Sequence, residues 1–203
     1  MAYILGLILT DGCVREGKKL TIASIDYDLL VLVKELMSSE HRIAKEHNKN
    51  GSWYSLTIHS KAMVSDLYTL GIHPRKSLTC SLPYVPSEFI QDFVRGVFDG
   101  DGSVSSRVRH DCVIPGIAVE IVTGSPTLLH QLTDLLNNEM RGNAFPFSHG
   151  VSGIGRIRGN NKASEWLYRY MYYSDKLPCL QRKHDKFAMI IAMRHANMDD
   201  ATV

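Results

Sequence analysis

A nine-residue pattern occurs twice in this chain, as ILGLILTDG at residues 4–12 and VRGVFDGDG at residues 94–102. Each copy has Gly third, an apolar pair next, Asp eighth and Gly ninth, which sets Asp11 and Asp101 90 residues apart. Such a repeat constrains the fold more than any single motif, because each copy is one supersecondary unit that needs its neighbour to bury its apolar face. The stretches after the two copies also correspond. KLTIASIDYDLLVLVKELM reads as a strand leading into a helix capped by Asp26, with Leu29, Leu30, Val33, Leu36 and Met37 along one face. GIAVEIVTGSPTLLHQLTDLL reads the same way, with Ser125 as cap, Pro126 at the first helical position and a stripe of Leu128, Leu129, Leu132, Leu135 and Leu136.

Two short strand-like runs continue each half, 41–47 and 53–59, then 144–149 and 153–158, with Asn48, Asn50 and Gly51 marking the first turn. A further helix then starts at Ser60 or at Asn160/Asn161, and Gly71 is placed to end the first of these. Ser87 is expected to cap the long helix that carries the second motif. The order predicted is helix, two strands, helix, two strands, helix, given twice: an α+β chain with halves at 1–85 and 86–203.

Gly6 and Gly96 sit on apolar helices with small Thr10 or Gly100 four residues later, on the same face. Small residues at that spacing let two helix backbones approach closely, as they do in lipid-buried helices. If the two copies pack together, Asp11 and Asp101 meet at their C-terminal ends, and Gly12 and Gly102 allow a sharp exit into each strand. Paired carboxylates repel unless protons or cations intervene. Their hard oxygens suit Mg²⁺, and paired ions clamp the attacking and leaving oxygens of a phosphodiester. An EF-hand reading of DGDGSV fails, because Val104 stands where the loop needs Gly and His110 where it needs the bidentate Glu.

Composition sets mild limits. A formal charge of +2 over 203 residues permits nucleic-acid binding without arguing for it. Cys13, Cys80, Cys112 and Cys179 form no zinc-ligand spacing and read as reduced intracellular thiols. The apolar start has no basic lead and reaches Asp11 too soon for a signal peptide or a membrane span.

With these motifs in place, the sequence resembles the LAGLIDADG homing endonucleases over nearly its whole length. The two repeats match the motif that names the family. LGIHPRKS at 70–77, with LPYVP after it, resembles the family's join between halves, and YYSDKLPCLQRKHDKF at 172–187 resembles its closing segment. The resemblance implies a tandem pseudo-twofold αββαββα fold whose paired sheets form a DNA-binding saddle. It implies a monomeric, metal-dependent endonuclease that makes a double-strand break with 3′ overhangs, with Asp11 and Asp101 as metal ligands. Mg²⁺ is the expected cofactor, with Mn²⁺ as a substitute and Ca²⁺ supporting binding without cleavage. Lys76 and Lys183 match the basic residues that assist the site, although Arg182 and Lys186 crowd the second position. Leu9 and Thr10 depart from the consensus, neither at the metal position. Ser24 and Thr123, where the family often has a polar side chain, are assigned no catalytic role.

Strand alternation sorts the candidates for DNA contact. Ser103, Ser105, Arg107 and Arg109 point opposite to Val104 and Val108, and Arg156 and Arg158 share a face opposite Ile157. A two-stranded ribbon fits the major groove, where arginine reads guanine. The first half offers Arg15, Lys18, Lys19, Lys45, Lys49, Trp53 and Tyr54, and any one basic residue more often meets phosphate than base. The second hairpin is longer, with His110, Asp111, Pro115 and Gly116 at its tip, which favours an asymmetric, non-palindromic target. Intron homing, action inside the cell at DNA, and the absence of a membrane or small-molecule partner complete the expectation. Two rivals share the fold: an RNA-splicing maturase with intron RNA as partner, and a DNA-binding regulator without nuclease activity.

Overall fold

The structure, a computed structural model, describes residues 1–15, 18–107, 114–150 and 153–200. It divides into two compact units, Met1–Gly100 and Asp101–Val203.

The first unit begins with α1 (Ala2–Asp11), which buries Tyr3, Ile4, Gly6, Leu7, Ile8 and Leu9. A helix apolar on nearly every side belongs inside a core. Next come β1 (Gly12–Arg15), β2 (Lys19–Ser24), α2 (Tyr27–Leu36), β3 (Ile43–Asn48), β4 (Gly51–His59) and α3 (Lys61–Thr69). The strands form one antiparallel sheet in the order β1-β2-β4-β3. Leu20, Ile22, Leu56 and Ile58 line its buried face, against the buried Leu29, Leu30 and Val33 of α2. The β3–β4 turn falls where the Asn and Gly residues predict it: Asn48 Oδ1 accepts from Asn50 N at 2.8 Å and Gly51 takes φ +137°. Ser60 Oγ accepts from Met63 N to open α3. Gly71, at φ +80°, closes it with hydrogen bonds from its own N–H to Tyr68 O and from Ile72 N to Leu67 O.

The last helix of this unit, α4 (Ile90–Asp101), is led by a 3₁₀ turn over Ser87–Phe89. Ser87 therefore lies inside that turn rather than at the cap, and Pro86, which has no N–H to satisfy, takes the flanking position. α4 packs on α1 through bare backbone. A Cβ on Gly6 would stand 2.3 Å from Phe93 O and 2.7 Å from Val97 N, and one on Gly96 would stand 2.0 Å from Tyr3 O. The small residues of the two motifs thus serve helix contact. Above the crossing, Tyr3 Oη donates to Asp99 at 2.8 Å, and fully buried Arg95 pairs with Asp92 at 2.6 Å and lies over the Tyr3 ring.

The second unit follows the same order: β5 (Gly102–Arg107), β6 (Gly116–Thr123), α5 (Pro126–Met140), β7 (Phe147–His149), β8 (Gly155–Gly159), α6 (Asn161–Met171) and α7 (Gln181–Asp200). Its sheet repeats the antiparallel order, β5-β6-β8-β7. Ser125 Oγ accepts from Leu128 N with Pro126 behind it, and Asn160 Oδ1 accepts from Ala163 N, so both predicted caps operate. Val104, Val119, Ile121 and Ile157 line the buried face, and α7 adds Phe187 and Ile190 to the core. The chain is therefore α+β, with two four-stranded antiparallel sheets and seven helices among the described residues. No helix among them is long and apolar enough to cross a membrane.

Candidate active site and nucleic-acid interface

Asp11 is the last residue of α1 and is half-buried. Gly12 follows in ordinary extended backbone, φ −77° and ψ 132°, so the sharp exit does not need glycine's conformational freedom. Space requires it instead, because a Cβ there would stand 2.5 Å from Ile8 O. Thr10 Oγ1 folds back to Leu7 O at 3.0 Å and Gly6 O at 3.2 Å. On the far side stands Gly100, where a Cβ would meet Thr10 Oγ1 at 2.0 Å and Asp11 Oδ2 at 3.3 Å. The Asp11 carboxylate thus faces peptide backbone one residue before Asp101.

Lys76 is brought to the same end of α1 by the segment read as the join. Arg75 occupies the left-handed region at φ 60°, a 3₁₀ turn spans Lys76–Leu78, and Thr79 N and Cys80 N both donate to Lys76 O. The side chain is only 6% exposed, and its ammonium donates to Gly12 O at 2.6 Å and Thr10 O at 3.4 Å. A buried cation on the terminal carbonyls of α1 complements the negative end of the helix dipole. The carbonyls it holds flank Asp11 on both sides.

In the second unit, Asp101 is the half-buried end of α4. Lys183 lies in the first turn of α7, its N–H bonded to Leu180 O at 2.9 Å, and it is half-buried where neighbouring Arg182 is exposed. Ser24 and Thr123 play the same local part. Each side-chain oxygen accepts a hydrogen bond from the N–H two residues on, of Asp26 at 3.0 Å and Ser125 at 3.2 Å. Such bonds turn the chain from strand to helix. Tyr3, Arg95 and Asp99 are polar residues that the apolar reading of the motifs overlooks. Their signal in the sequence is the spacing Asp92, Arg95, Asp99, which keeps them on one side of α4.

The outer faces of the sheets follow from register. In the first unit Arg15, Lys19 and His59 are cross-strand neighbours, and with Lys18 they line an open depression of about 350 Å³. Lys49 is exposed at the β3–β4 turn. Tyr54 pairs with Ser24 on one flank and Lys45 on the other, on the opposite side of the sheet, where the Tyr54 ring meets Tyr27 at 5.0 Å. Trp53 is the aromatic on the same side as Arg15 and Lys19, across from Glu46.

In the second unit Ser103 and Ser105 are exposed on the outer face. Arg107 ends β5, with its side chain outside the described residues, as are Arg109, His110 and Asp111. Arg156 and Arg158 share the outer face of β8, yet neither stands alone. Glu120 Oε1 accepts from Arg156 Nη1 at 2.8 Å and Glu120 Oε2 from Arg158 Nε at 2.6 Å. Partial burial pushes the Glu120 carboxyl up, but the hydrogen bonds from Arg158 and Arg156 outweigh it and hold it below the ordinary glutamate value.

Residues 1–71 match the family model described as the LAGLIDADG-like domain. Comparison with curated proteins finds no match. Among solved structures, the LAGLIDADG homing endonuclease I-GzeII in complex with its DNA target is similar at 9% identity, covering 100% of this chain and 92% of that one, with a TM-score of 0.66. I-SmaMI bound to uncleaved DNA target in the presence of calcium ions is similar at 13%, covering 97% and 92%, with a TM-score of 0.66. The N-terminal LAGLIDADG domain of DUF199/WhiA is similar at 14%, covering 87% and 82%, with a TM-score of 0.58. The chain therefore has the fold of the LAGLIDADG homing endonucleases. Its first 71 residues, which hold the first copy of the repeated motif, match the LAGLIDADG-like domain alone.

Proposed function

We propose that this chain is a site-specific double-strand DNA endonuclease of the homing type, acting inside the cell as a monomer on a long asymmetric target and leaving 3′ overhangs. The observation that carries the reading is the end of α1, where the Asp11 carboxylate lies against the bare backbone of Gly100 and a buried ammonium holds the carbonyls on either side. Asp11 and Asp101 are the carboxylates we assign to divalent metal. Two carboxylates fit Mg²⁺, which takes one or two from the protein and completes its shell with water and substrate phosphate. Among the described residues no group of three or more His, Cys, Asp and Glu is placed to hold an ion without such help. When bound, Mg²⁺ or Mn²⁺ supplies a polarised water and a counter-charge for the phosphate oxygens, whereas Ca²⁺ supports binding without cleavage.

The residues do the rest. The close α1–α4 crossing fixes where the Asp11 carboxylate stands. Lys76 acts as a positioning residue, keeping the end of α1 in place and setting a positive charge beside the developing phosphorane charge. Lys183 is the counterpart we assign in the second unit. Arg15 and Lys19 in one sheet with Lys18 in the turn between them, and Ser103, Ser105, Arg156 and Arg158 in the other sheet, face the duplex.

The similarity to a DUF199/WhiA domain, named a LAGLIDADG domain and not an endonuclease, favours one second reading, a DNA-binding regulator of this fold. Selection of bound duplexes from a randomised library separates the two. The selected duplexes should survive in Ca²⁺, be cut on both strands in Mg²⁺, and end in 3′ overhangs. Duplexes that bind tightly yet stay intact in both Mg²⁺ and Mn²⁺ would leave the regulator. Preference for intron RNA over every duplex would leave the maturase.

A further inference from the structure

We infer that Glu120 is a specificity-determining residue, which holds Arg156 and Arg158 as a paired reader of two guanines and keeps them off phosphates. The inference rests on the DNA-binding reading above. Glu120 in β6 is the direct cross-strand partner of Arg158 in β8, and Arg156 lies two residues back along the same face. The carboxylate is used on both oxygens, one arginine to each.

The atoms engaged are different in the two arginines. Arg158 donates through Nε, so Glu120 engages the side of its guanidinium and not the end-on pair of terminal nitrogens. Arg156 donates through a single Nη1 and keeps its other donors. The arginine side chains remain 37% and 51% exposed and Glu120 25%, so the triad sits at the surface with both guanidinium groups accessible. Ser103 stands on the other side of Glu120, and Ala118 pairs with Ser105 one row on, so the surroundings are short and leave room for approach.

Charge and spacing then select the partner. Two unpaired arginines on a sheet make a phosphate clamp, which binds any sequence. A carboxylate between them repels phosphate oxygens and fixes both guanidinium planes, which lowers the entropy lost on a bidentate contact. Guanine, with O6 and N7 as adjacent acceptors, is the major-groove edge that suits such a fork. Side chains two apart on a strand are about 6.6 Å apart. Two base-pair steps rise about 6.8 Å. β8 running along the groove thus presents its arginines to two guanines with one base pair between them.

The test is selection of duplexes from a randomised library by the full chain, repeated with Glu120→Gln, Arg156→Ala and Arg158→Ala, with salt dependence measured on a selected and an unrelated duplex. The wild type should enrich two guanine positions separated by one base pair. Each arginine variant should lose one of them, weakening the selected duplex by between about fivefold and a hundredfold. Glu120→Gln keeps the shape of the side chain and should blur both positions together. It should also bind the unrelated duplex more tightly, with a salt slope steeper by about one. Enrichment of some other pattern, or Glu120→Gln unchanged at both positions and in slope, would overturn the role of Glu120 and leave the DNA reading standing. Failure to enrich any duplex would overturn both.

Discussion

Replacing Gly96 by alanine tests whether α1 and α4 touch through their backbones. The added Cβ would stand 2.0 Å from the Tyr3 carbonyl oxygen, where ordinary contact begins near 3.4 Å. The backbone fixes the Cβ and the oxygen is main chain, so nothing can rotate away and the helices must part by about 1.4 Å. Overpacking of a close-packed core costs about 1–3 kcal/mol, and a clash between backbones belongs at the upper end. The retreat also pulls Tyr3 Oη from Asp99, a buried hydrogen bond of 2.8 Å. Leaving such groups unsatisfied costs about 1–3 kcal/mol. Alanine's better helix propensity returns about 1 kcal/mol. The balance is a loss of about 3 kcal/mol, a fall in Tm of about 10 °C for a chain of this size. Thermal and urea unfolding followed by circular dichroism would measure it. Gly142→Ala is the control, since a Cβ there meets nothing within 4 Å. If Gly96→Ala proved as stable as the wild type, the helix contact would be refuted.

Other substitutions probe separate links. Lys76→Met should reduce Mg²⁺-dependent cleavage of a selected duplex by about a hundredfold or more while leaving duplex affinity in Ca²⁺ unchanged, read by single-turnover kinetics. Ser125→Ala should lower stability by about 1 kcal/mol in urea unfolding, because it removes the acceptor for Leu128 N. Glu120 has a folded pKa below its unfolded one, so its pairing stabilises above the ordinary glutamate value of 4.5 and is lost as pH falls through the folded value. The stability difference between wild type and Glu120→Gln should therefore be largest near neutral pH and shrink on acidification below that value. A difference that grew in acid would reverse the assignment.

Much of the fold is legible because local signals and the repeat agree. Ser60, Ser125 and Asn160 cap their helices through side-chain oxygens, Gly71 ends its helix in the left-handed region, and the Asn48–Gly51 turn sets the β3–β4 register. The parts that sequence does not disclose depend on cross-strand register or on packing between distant segments. Tyr54 and Lys45 read as candidates for DNA contact together with Arg15 and Lys19, but alternation from Leu56 places them on the other side of the sheet, with Lys45 exposed there. Arg156 and Arg158 are visible as a pair, yet the Glu120 that binds them is 36 residues before the first and is found only through the β6–β8 register. Lys76 is legible as a basic residue of the join. Its burial on the end of α1 is a contact across 64 residues, which no local pattern predicts. Gly12 is legible as a required glycine for a different reason from the true one, the nearness of Ile8 O.

In the proposed function Asp11 and Asp101 are both required for cutting. The direct measurement is strand-resolved cleavage of a selected duplex in Mg²⁺ by Asp11→Asn and by Asp101→Asn, with binding in Ca²⁺ measured alongside. Each variant should bind the duplex and cut neither strand. Wild-type cutting of both strands by either variant would contradict it.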